Sequence, residues 1–505
     1  MSTTNGGDNS GHSMKAYYGT GDSSAICSNR AIIRRVARIL RAGAYDFRAS
    51  FPTEAGPQEA RLLGCAIGKF VEGPFLVGRD TRRESKQFSL ALVQGLIQTA
   101  ESVFDLGIIP TPIAGFAARR TGSVSLVVSP SHNALGYVGL KGFTSQGLLW
   151  GSEWTRLRKA LVTNGFASSF KSGASSLQPR KSMACKGRFR LKRRYLKYLS
   201  RFGPSKVRVV VDSRGGATTG WISTALRSIG GVVRDLHTRQ SATFHGLSPE
   251  PTLSSLGLLR QSVRKFSADF GVAVDGDGDR AVFVDEHGAP VPPEVIALCL
   301  LNSIARSNET LVASADLSHR LSKHAEVHWS KVGGLNVCDQ MNASGAEIGA
   351  ELSGHYYFKS EGFASDGILT SAVIAYVISS RKQPLSRYVH EFGDLNRLTV
   401  RIRGTSRRGV LKALSSLPFR HAPDSHPFCG GWLWRLKDGG SGYVRVSQTE
   451  PTIRLVCEGS PEALRAVVRE LRLVPSLVGT SSVPMGLAYF RGWSEVEFRL
   501  RDDCI

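Results

Sequence analysis

The chain has 505 residues, and 65 Lys and Arg against 41 Asp and Glu give it a formal net charge of +24 at pH 7. Hydrophobic residues make up 41% and charged residues 21% of the chain, a composition that excludes a wholly disordered protein. The sequence has no run of about 18 apolar residues, which excludes a membrane-spanning helix, and at roughly 100–200 residues per domain its length predicts three to five domains.

The predicted elements begin after a polar N-terminus. Residues 1–30 are rich in Gly, Ser, Asn and Thr and are expected to be disordered, whereas Ile32–Leu40 has apolar residues at helical spacing. Short apolar strands then alternate with helices, which predicts mostly parallel sheets with helices on their faces. The predicted strands are Phe75–Gly78, Val124–Val128, Val207–Val211 and Phe270–Val274, and the predicted helices are Ser85–Glu101, Thr219–Ile229 and Pro293–Ile304.

The pattern changes in two later segments. Residues 160–190 are rich in Ser, Gly and Lys with little periodicity, so we expect a loop or insertion there. Residues 398–475 contain several β-type runs followed by a helical segment, Pro461–Arg472. This α+β pattern predicts a separate C-terminal domain.

The positive charge is concentrated in one part of the chain. The window Trp154–Val211 contains sixteen Lys or Arg residues and no Asp or Glu. A basic excess is typical of proteins that contact nucleic acid, an acidic membrane surface or phosphorylated substrates. At this point these alternatives stay open, together with a solvated basic loop.

The eight cysteines are scattered and include no Cys-x-x-Cys pair. Their spacing excludes a small disulfide framework and the usual zinc-ligand patterns. The N-terminus also lacks the basic and apolar regions of a secretory signal. We therefore expect free thiols in a reducing, cytoplasmic location.

The first candidate site is Ser129-Pro-Ser-His-Asn133, which directly follows the predicted strand Val124–Val128. Ser131 beside His132, with Lys141 ten residues on, supplies a nucleophile and two groups that can transfer a proton. The alternative is an ordinary polar turn. The sequence has no Gly-x-Ser-x-Gly elbow at this point, which argues against an α/β-hydrolase.

The second candidate site is Asp275-Gly-Asp-Gly-Asp279, which follows another buried strand. Three carboxylates at alternate positions can converge on one hard cation such as Mg²⁺. The alternatives are an acidic turn and a calcium-binding EF-hand loop. Arg280 stands where an EF-hand needs Gly, and a strand precedes the motif where a helix should be.

Two further loops carry polar side chains that suit a sugar phosphate. Glu351-Leu-Ser353-Gly-His355 can form hydrogen bonds to sugar hydroxyls. The segment Arg445–Arg454 offers two Arg side chains, two hydroxyls and loop N–H groups, which are typical of a phosphate site. Each pattern taken alone also fits a solvated loop.

Taken in this order, the four loops resemble those of the α-D-phosphohexomutase family, which includes phosphoglucomutase and phosphomannomutase. Three other segments also resemble that family: Tyr45-Asp-Phe-Arg48, Gly78-Arg-Asp-Thr-Arg82 and Leu106–Pro112. The resemblance implies three related α/β domains with mixed sheets and a smaller α+β C-terminal domain, all four arranged around a central cleft.

The expected domain boundaries follow from this resemblance. They are a disordered or short helical extension 1–43, a first domain 44–159, a basic loop or insertion 160–190, a second domain 191–290, a third domain 291–395, a fourth domain 396–477 and a tail 478–505.

The resemblance also implies roles for individual residues. Ser131 would carry the phosphoryl group, with His132, Lys141 and Arg48 near the reacting hydroxyl. Mg²⁺ would be held by Ser131 and the three carboxylates of Asp275, Asp277 and Asp279. The substrate-binding residues would be Tyr45, Arg280, Lys331, Glu351, Ser353, His355, Arg445, Ser447, Gln448, Thr449 and Arg454.

The implied activity is a phosphohexomutase that interconverts hexose 1- and 6-phosphates of mannose or glucose, as a monomer or dimer, with sugar 1,6-bisphosphate as activator. The segment Glu351–Phe358 resembles the phosphomannomutase/phosphoglucomutase branch more than the phosphoglucosamine mutase branch. The rivals are phosphoglucosamine mutase, a phosphatase, and a nucleic-acid-binding protein built on a decayed mutase scaffold. The basic window 154–211 is the only feature that favours the last of these.

Overall fold

A computed structural model describes residues 23–40, 46–149, 151–163, 181–304, 310–362, 364–393, 395–417, 419, 422, 424–436, 438–447, 451–474, 476–479 and 493–500. These residues form fourteen α-helices. They are α1 Ser23–Ile39, α2 Pro57–Phe70, α3 Arg83–Leu96, α4 Thr111–Thr121, α5 Gly151–Thr163, α6 Lys181–Leu199, α7 Ile222–Ser228, α8 Gly257–Phe266, α9 Pro293–Ile304, α10 Gly334–Ser344, α11 Gly367–Arg381, α12 Leu385–Phe392, α13 Arg407–Ser416 and α14 Pro461–Arg472. None of these helices combines the length and the apolar character that crossing a membrane requires.

The strands form four sheets, one after another along the chain. The first contains β1 Asp46–Ser50, β2 Phe75–Arg79, β3 Val103–Ile108, β4 Val124–Val128, β5 Tyr137–Thr144 and β6 Gly147–Leu148; the second contains β7 Arg208–Asp212, β8 Val232–Leu236, β9 Phe270–Val274 and β10 Ala281–Asp285. The third contains β11 Thr310–Ser314, β12 Glu326–Ser330, β13 Ile348–Ala350, β14 Tyr356–Phe358 and β15 Ala364–Ser365. The fourth contains β16 Arg397–Arg403, β17 His426–Phe428, β18 Gly431–Arg435, β19 Ser441–Val446, β20 Thr452–Glu458, β21 Leu477–Gly479 and β22 Trp493–Leu500.

The first three sheets share one arrangement of strands. In each, three neighbouring strands run parallel, and an antiparallel strand then pairs with the last of them in sequence. The antiparallel pairs are β4 with β5, β9 with β10, and β13 with β14. The serine, carboxylate and Glu351 loops connect these three pairs, so they occupy equivalent positions. This confirms three related α/β domains with mixed sheets, followed by a fourth domain of different topology.

The fourth sheet has seven strands in the order β17-β18-β19-β20-β16-β22-β21. All its neighbours are antiparallel except β16 and β22. The loop from Ser447 to Pro451 connects β19 to β20, so the fourth candidate loop also joins two antiparallel strands.

Several local predictions coincide with the structure, including β4, β9, α9 and α14. The predicted helix Ser85–Glu101 was too long, because α3 ends at Leu96 and the chain turns there through an Ala100 N–H to Leu96 carbonyl bond of 2.8 Å. The predicted helix Thr219–Ile229 begins only at Ile222. Its first residues instead form turns, and the adjacent Ala217 N–H bonds the Gly276 carbonyl at 2.9 Å.

Three larger differences concern the segments expected to be irregular. The disorder predicted through residue 30 is wrong from Ser23 on, because α1 begins there. The loop predicted at 160–190 is wrong at 160–163, where α5 continues, and again from Lys181 on, where α6 begins. Helix α6 buries Leu191, Tyr195 and Leu199 at helical spacing. Residues 1–22 and 164–180 lie outside the described residues.

The prediction of a C-terminal tail over 478–505 is also wrong at residues 478–479 and 493–500, which form strands. Trp493–Leu500 forms β22, which pairs in parallel with all seven residues of β16. Val496, Phe498 and Leu500 alternate along this strand and are buried in the core of the fourth domain, as expected for a strand with one face covered.

Candidate active site

The four loops line one cleft of about 1060 Å³. A cavity of this size is large enough to enclose a small phosphorylated ligand. The predicted site residues that line it are Arg48, His132, Arg280, Glu351, Ser353, His355, Arg445, Ser447 and Arg454.

Ser131 lies in a tight turn after β4. Its φ is 54°, a left-handed conformation that is uncommon for a residue with a side chain. The Ser131 N–H donates to Ser129 Oγ at 3.0 Å, and Ser129 Oγ donates to Asp80 at 2.9 Å. The surrounding bonds therefore hold the serine in a conformation that the isolated chain would avoid.

Arg82 holds the same turn from its other side. Its guanidinium is fully buried and donates to three carbonyls of the serine loop, those of Ser131 at 2.8 Å, Asn133 at 2.6 Å and Ala134 at 2.6 Å. Asp80 lies 3.2 Å from Arg82 Nε. The sequence comparison identified this segment as a family feature but assigned it no role; the structure shows that it positions the serine loop.

The serine hydroxyl connects the first domain to the carboxylate loop of the second. Ser131 Oγ donates to Asp275 at 2.7 Å. Lys141, which is buried, donates to Asp277 at 2.8 Å and to Asp279 at 2.5 Å. Residues more than 130 positions apart in the chain are thereby brought into direct contact.

The three carboxylates form a candidate metal centre. Asp275, Asp277 and Asp279 are buried, and one oxygen from each lies within 4.8 Å of the others. Asp277 Oδ1 is buried without a hydrogen-bond partner among the described residues. A buried carboxylate oxygen without a partner is costly, so this donor set fits a hard divalent cation such as Mg²⁺.

The negative charges of the carboxylate loop are compensated by nearby cationic side chains to different degrees. Burial raises the pKa of Asp275 well above its usual value, and the neighbouring Asp279 and Asp277 raise it further. Burial would also raise the pKa of Asp279, but Lys141 and His355 bring it well below its usual value. A divalent cation would favour the ionised form of all three carboxylates.

Two arginines hold the histidine next to the serine. Arg280 contacts His132 Nδ1 at 2.7 Å, and Arg48 contacts the same atom at 3.4 Å. His132 Nδ1 also lies 3.3 Å from Ser131 Oγ. Burial, and then Arg280 and Arg48, lower the pKa of His132 well below its usual value, which favours the neutral imidazole.

The Glu351 loop is bonded to the carboxylate loop through His355. One ring nitrogen of His355 lies 3.0 Å from Glu351 and the other 3.4 Å from Asp279. Burial alone would raise the pKa of Glu351, but His355 and Tyr357 lower it to about 2. Glu351 is therefore an ionised hydrogen-bond acceptor at the cleft wall, and Ser353 lies beside it.

The fourth domain presents a row of arginines to the cleft. Arg401, Arg454 and Arg445 are cross-strand neighbours on β16, β20 and β19. Arg445 lies 3.8 Å from Asp316, and Arg401 lies 3.8 Å from Glu250. Three guanidinium groups and the nearby Ser447, which also lines the cleft, form a surface suited to a phosphate dianion.

Not every predicted residue lines this cleft. Ser131, Lys141 and the three carboxylates are buried and are not among the lining residues, although Ser131 contacts His132, which is. Lys331 is exposed, packs over Gly430 and does not line the cleft. Tyr45, Gln448 and Thr449 lie outside the described residues.

Sequence reasoning also missed several cleft residues. Arg401 could have been found from the alternating Arg residues of β16, since alternate strand positions share a face. Glu250, which bonds Arg280 at 3.1 Å, follows no recognisable motif. Arg38 of α1 and Glu495 of β22 line the cleft from segments that were predicted to lie outside the four domains.

Comparisons with known proteins agree with this architecture. Sequence models of the three α/β/α domains of the phosphoglucomutase/phosphomannomutase family match residues 40–164, 193–288 and 294–394. The chain is 30% identical over 408 residues to a phosphoglucosamine mutase of Symbiobacterium thermophilum, with 77% of this chain and 86% of that relative covered. It is 28% identical over 440 residues to a phosphoglucomutase/phosphomannomutase of Thermococcus kodakarensis, with 83% and 94% covered.

A solved structure shares the fold. The crystal structure of a phosphoglucomutase/phosphomannomutase family protein from Burkholderia thailandensis superimposes with a TM-score of 0.70 at 22% identity, covering 86% of this chain and 96% of that one. The domain matches cover most of the chain. The buried Ser131 contacts the carboxylate triad and also His132, which lines the cleft together with the arginine row. The chain therefore belongs to the phosphoglucomutase/phosphomannomutase family of phosphohexomutases, which are intramolecular phosphotransferases.

Proposed function

We propose that this protein interconverts hexose 1-phosphates and hexose 6-phosphates, with Ser131 carrying the phosphoryl group between them. The observation that supports this most directly is the contact of Ser131 Oγ with Asp275 at 2.7 Å, beside a cleft whose far wall carries Arg401, Arg445 and Arg454. One side of the cleft can exchange a phosphoryl group while the other holds a phosphate.

In the proposed reaction, the bond between phosphorus and Ser131 Oγ breaks as a bond to the free sugar hydroxyl forms. The hydroxyl proton passes to a ring nitrogen of His132, and a sugar 1,6-bisphosphate results. Lys141 stays protonated beside Asp277 and Asp279, where its positive charge faces the reacting groups. The sugar turns in the cleft, and its other phosphoryl group returns to Ser131. Arg48 and Arg280 lie where they can compensate charge on the transferring oxygens.

Asp275, Asp277 and Asp279, with the oxygen of Ser131, would hold Mg²⁺. When bound, the cation would neutralise charge on the phosphoryl group. At the other end of the cleft, Arg445, Ser447 and Arg454, together with Gln448 and Thr449, would grip the resident phosphate. Glu351 and Ser353 would accept and donate hydrogen bonds to the sugar hydroxyls between the two ends, with Tyr45 as a further substrate contact.

The Ser131→Ala variant tests whether Ser131 carries the phosphoryl group. We expect loss of at least 1000-fold in mutase rate in a coupled assay with Mg²⁺ and a trace of sugar 1,6-bisphosphate, because the phosphoryl acceptor is gone. Ser145→Ala is the matched control, since Ser145 is an exposed serine of the same domain outside the cleft. A Ser131→Ala protein with near-normal rate would contradict the proposal. Inorganic phosphate released at the rate of sugar turnover would indicate a phosphatase instead.

For the sugar, we propose mannose or glucose phosphate, supported by the resemblance of Glu351–Phe358 to that branch. The similarity to a phosphoglucosamine mutase at 30% identity favours glucosamine phosphate as the second candidate. Comparing kcat/KM for mannose, glucose and glucosamine 1-phosphates separates them. A kcat/KM for glucosamine 1-phosphate at least ten times that of the other two would overturn the first choice.

A further inference from the structure

The basic residues of α6 and the turn after it form a stripe that the mutase reaction does not use. Its exposed members are Arg190, Arg193, Arg194, Lys197 and Arg201, which we call the basic stripe. Their spacing of three or four residues places them along one side of a helix. None of them lines the cleft.

The opposite side of the same helix fixes it to the protein. Leu191, Tyr195 and Leu199 are buried in the core shared by the first three domains. The Tyr195 hydroxyl donates to the buried carboxylate of Asp366 at 2.6 Å. The stripe is therefore held rigidly outward by a helix anchored on its other face.

Aromatic rings also hold a further part of this surface in place. The Arg201 guanidinium lies over the rings of Tyr198 and Phe202 at 3.9 and 4.7 Å, and Arg120 of α4 lies over Phe116 and Tyr198 at 5.2 and 5.4 Å. Side chains ordered in this way lose less conformational entropy when they bind a partner.

The stripe lacks the acidic partners that other surface cations have. Arg227, Arg387 and Arg403 each form an ion pair with a carboxylate at 2.7 to 3.1 Å. No ion pair joins any member of the basic stripe, or Arg120, to a carboxylate within the part of the chain that the structure describes. Their charge is available to an anionic partner.

The structure points to one kind of partner: we propose that the basic stripe binds the phosphate backbone of duplex nucleic acid, independently of base sequence. Five of the six cations, counting Arg120, are arginines, which bind phosphate oxygens with two parallel hydrogen bonds. From Arg190 on α6 to Arg201 in the turn after it, the basic stripe extends over about 16 Å at about 1.5 Å per residue. That length matches about five phosphates of one strand at 3.4 Å each.

Two other anionic partners fit less well. A basic helix that binds a membrane normally inserts apolar side chains beside its charges, but Leu191, Tyr195 and Leu199 are buried in the protein. Single strands are held largely by stacking on exposed rings, whereas Phe116 and Tyr195 are buried, and arginines cover Tyr198 and Phe202. The geometry therefore favours backbone contacts to a duplex.

Fluorescence anisotropy with a labelled 20-base-pair DNA duplex tests the proposal on the full-length protein. We expect binding at micromolar concentration or tighter in 50 mM salt, weakening with a log–log salt slope of about 4 to 5. Arg190→Glu, Arg193→Glu, Arg194→Glu and Lys197→Glu in one protein should weaken binding at least 30-fold and flatten the slope. Mutase rate should stay within about twofold, since these residues lie outside the cleft.

A matched control carries the same four-residue change on the fourth domain. Arg408, Lys412, Arg469 and Arg472 are also three arginines and one lysine, all exposed and outside the cleft. Replacing these four residues by Glu changes the net charge by the same amount as the stripe variant. If binding depends on the position of the charges rather than on their sum, the control should weaken duplex binding less than threefold. Melting temperatures of both variants show that each is folded.

Four outcomes would overturn the proposal. They are no binding of duplex DNA by the unaltered protein in 50 mM salt; equal loss in the control variant; displacement of the duplex by sugar 1,6-bisphosphate, which would place it in the cleft; and binding to phosphatidylserine vesicles or single strands in preference to duplex. The test does not depend on mutase activity, because a protein without that activity can still pass or fail it.

Discussion

Arg82 determines where the serine loop lies. Its three bonds to the carbonyls of Ser131, Asn133 and Ala134 are made from a fully buried guanidinium. A lysine has a single ammonium group and cannot reproduce that planar fork of donors. The position of the serine therefore depends on one side chain that follows β2, 49 residues before it in the chain.

We expect Arg82→Lys to lower kcat at least tenfold while changing KM less than threefold. A displaced serine slows phosphoryl transfer, but the fourth-domain phosphate contacts are untouched. Steady-state kinetics with glucose 1-phosphate measures both constants, and the circular dichroism spectrum controls for folding. A rise in KM of at least tenfold with an unchanged kcat would show that Arg82 acts on substrate binding rather than on the position of the serine.

At the scale of single elements, α11 is linked to α6 by its capping residue. Asp366 accepts the N–H groups of Ile368 and Leu369 at 2.9 and 2.8 Å and the Tyr195 hydroxyl at 2.6 Å. Burial raises the pKa of Asp366 to about 7, although these hydrogen bonds lower it in part. The cap is thus sensitive to pH near neutrality.

Stability should fall as pH rises through this pKa. Below about pH 4 the carboxyl is protonated in both states; between about 4 and 7 it is ionised only in the unfolded chain, which draws the equilibrium toward unfolding. The Asp366→Asn variant should not lose this stability, because its side chain is neutral at every pH. We therefore expect its free energy of unfolding, relative to that of the unaltered protein, to be about 2 kcal/mol higher at pH 8 than at pH 5. Urea denaturation at the two pH values checks this, and a constant difference would contradict it.

The strand β22 supports the fourth domain from outside the family's matched segments. Phe498 is buried, while its neighbour Arg499 is exposed. We expect Phe498→Ala to lower the free energy of unfolding by about 3 to 5 kcal/mol, and Arg499→Ala to change it by less than about 0.5 kcal/mol. Equal effects in urea denaturation would mean that β22 does not pack as described.

At the scale of the whole molecule, an ion cluster joins the third and fourth domains. Arg397 of β16 is buried and contacts Glu294 of α9 and Glu458 of β20, the latter at 3.0 Å from Nε. Removing the arginine would leave two carboxylates buried without their cation, which is more costly than removing all three charges.

We expect Arg397→Met to lower the free energy of unfolding by about 3 to 5 kcal/mol. The triple variant Arg397→Met, Glu294→Gln, Glu458→Gln should recover at least half of that loss. Thermal and urea unfolding of the two proteins measure the difference. A triple variant that is less stable than the single variant would contradict this expectation. It would show that the attraction within the cluster exceeds the desolvation cost of burying its three charged groups.

Short-range patterns in the amino-acid sequence predict much of the local chemistry of this protein. The alternating carboxylates Asp275, Asp277 and Asp279, the turn around Ser131 and the helices α9 and α14 are encoded by spacing within ten or so residues, and short-range patterns predict such features well. The resemblance of these motifs in family order was enough to predict the three related domains, the fourth domain and the reaction class.

Which side chains meet in the active site depends instead on contacts between distant parts of the chain. Arg82 supports Ser131, Glu250 bonds Arg280, and Arg401 completes the arginine row because domains and strands distant in sequence pack together. The helix α6 and the strand β22 were missed for a related reason. Both are rich in charged residues, and each has only a few apolar residues, which are buried on one side. These apolar residues become a core only when other elements cover them, a long-range contact that local spacing does not contain.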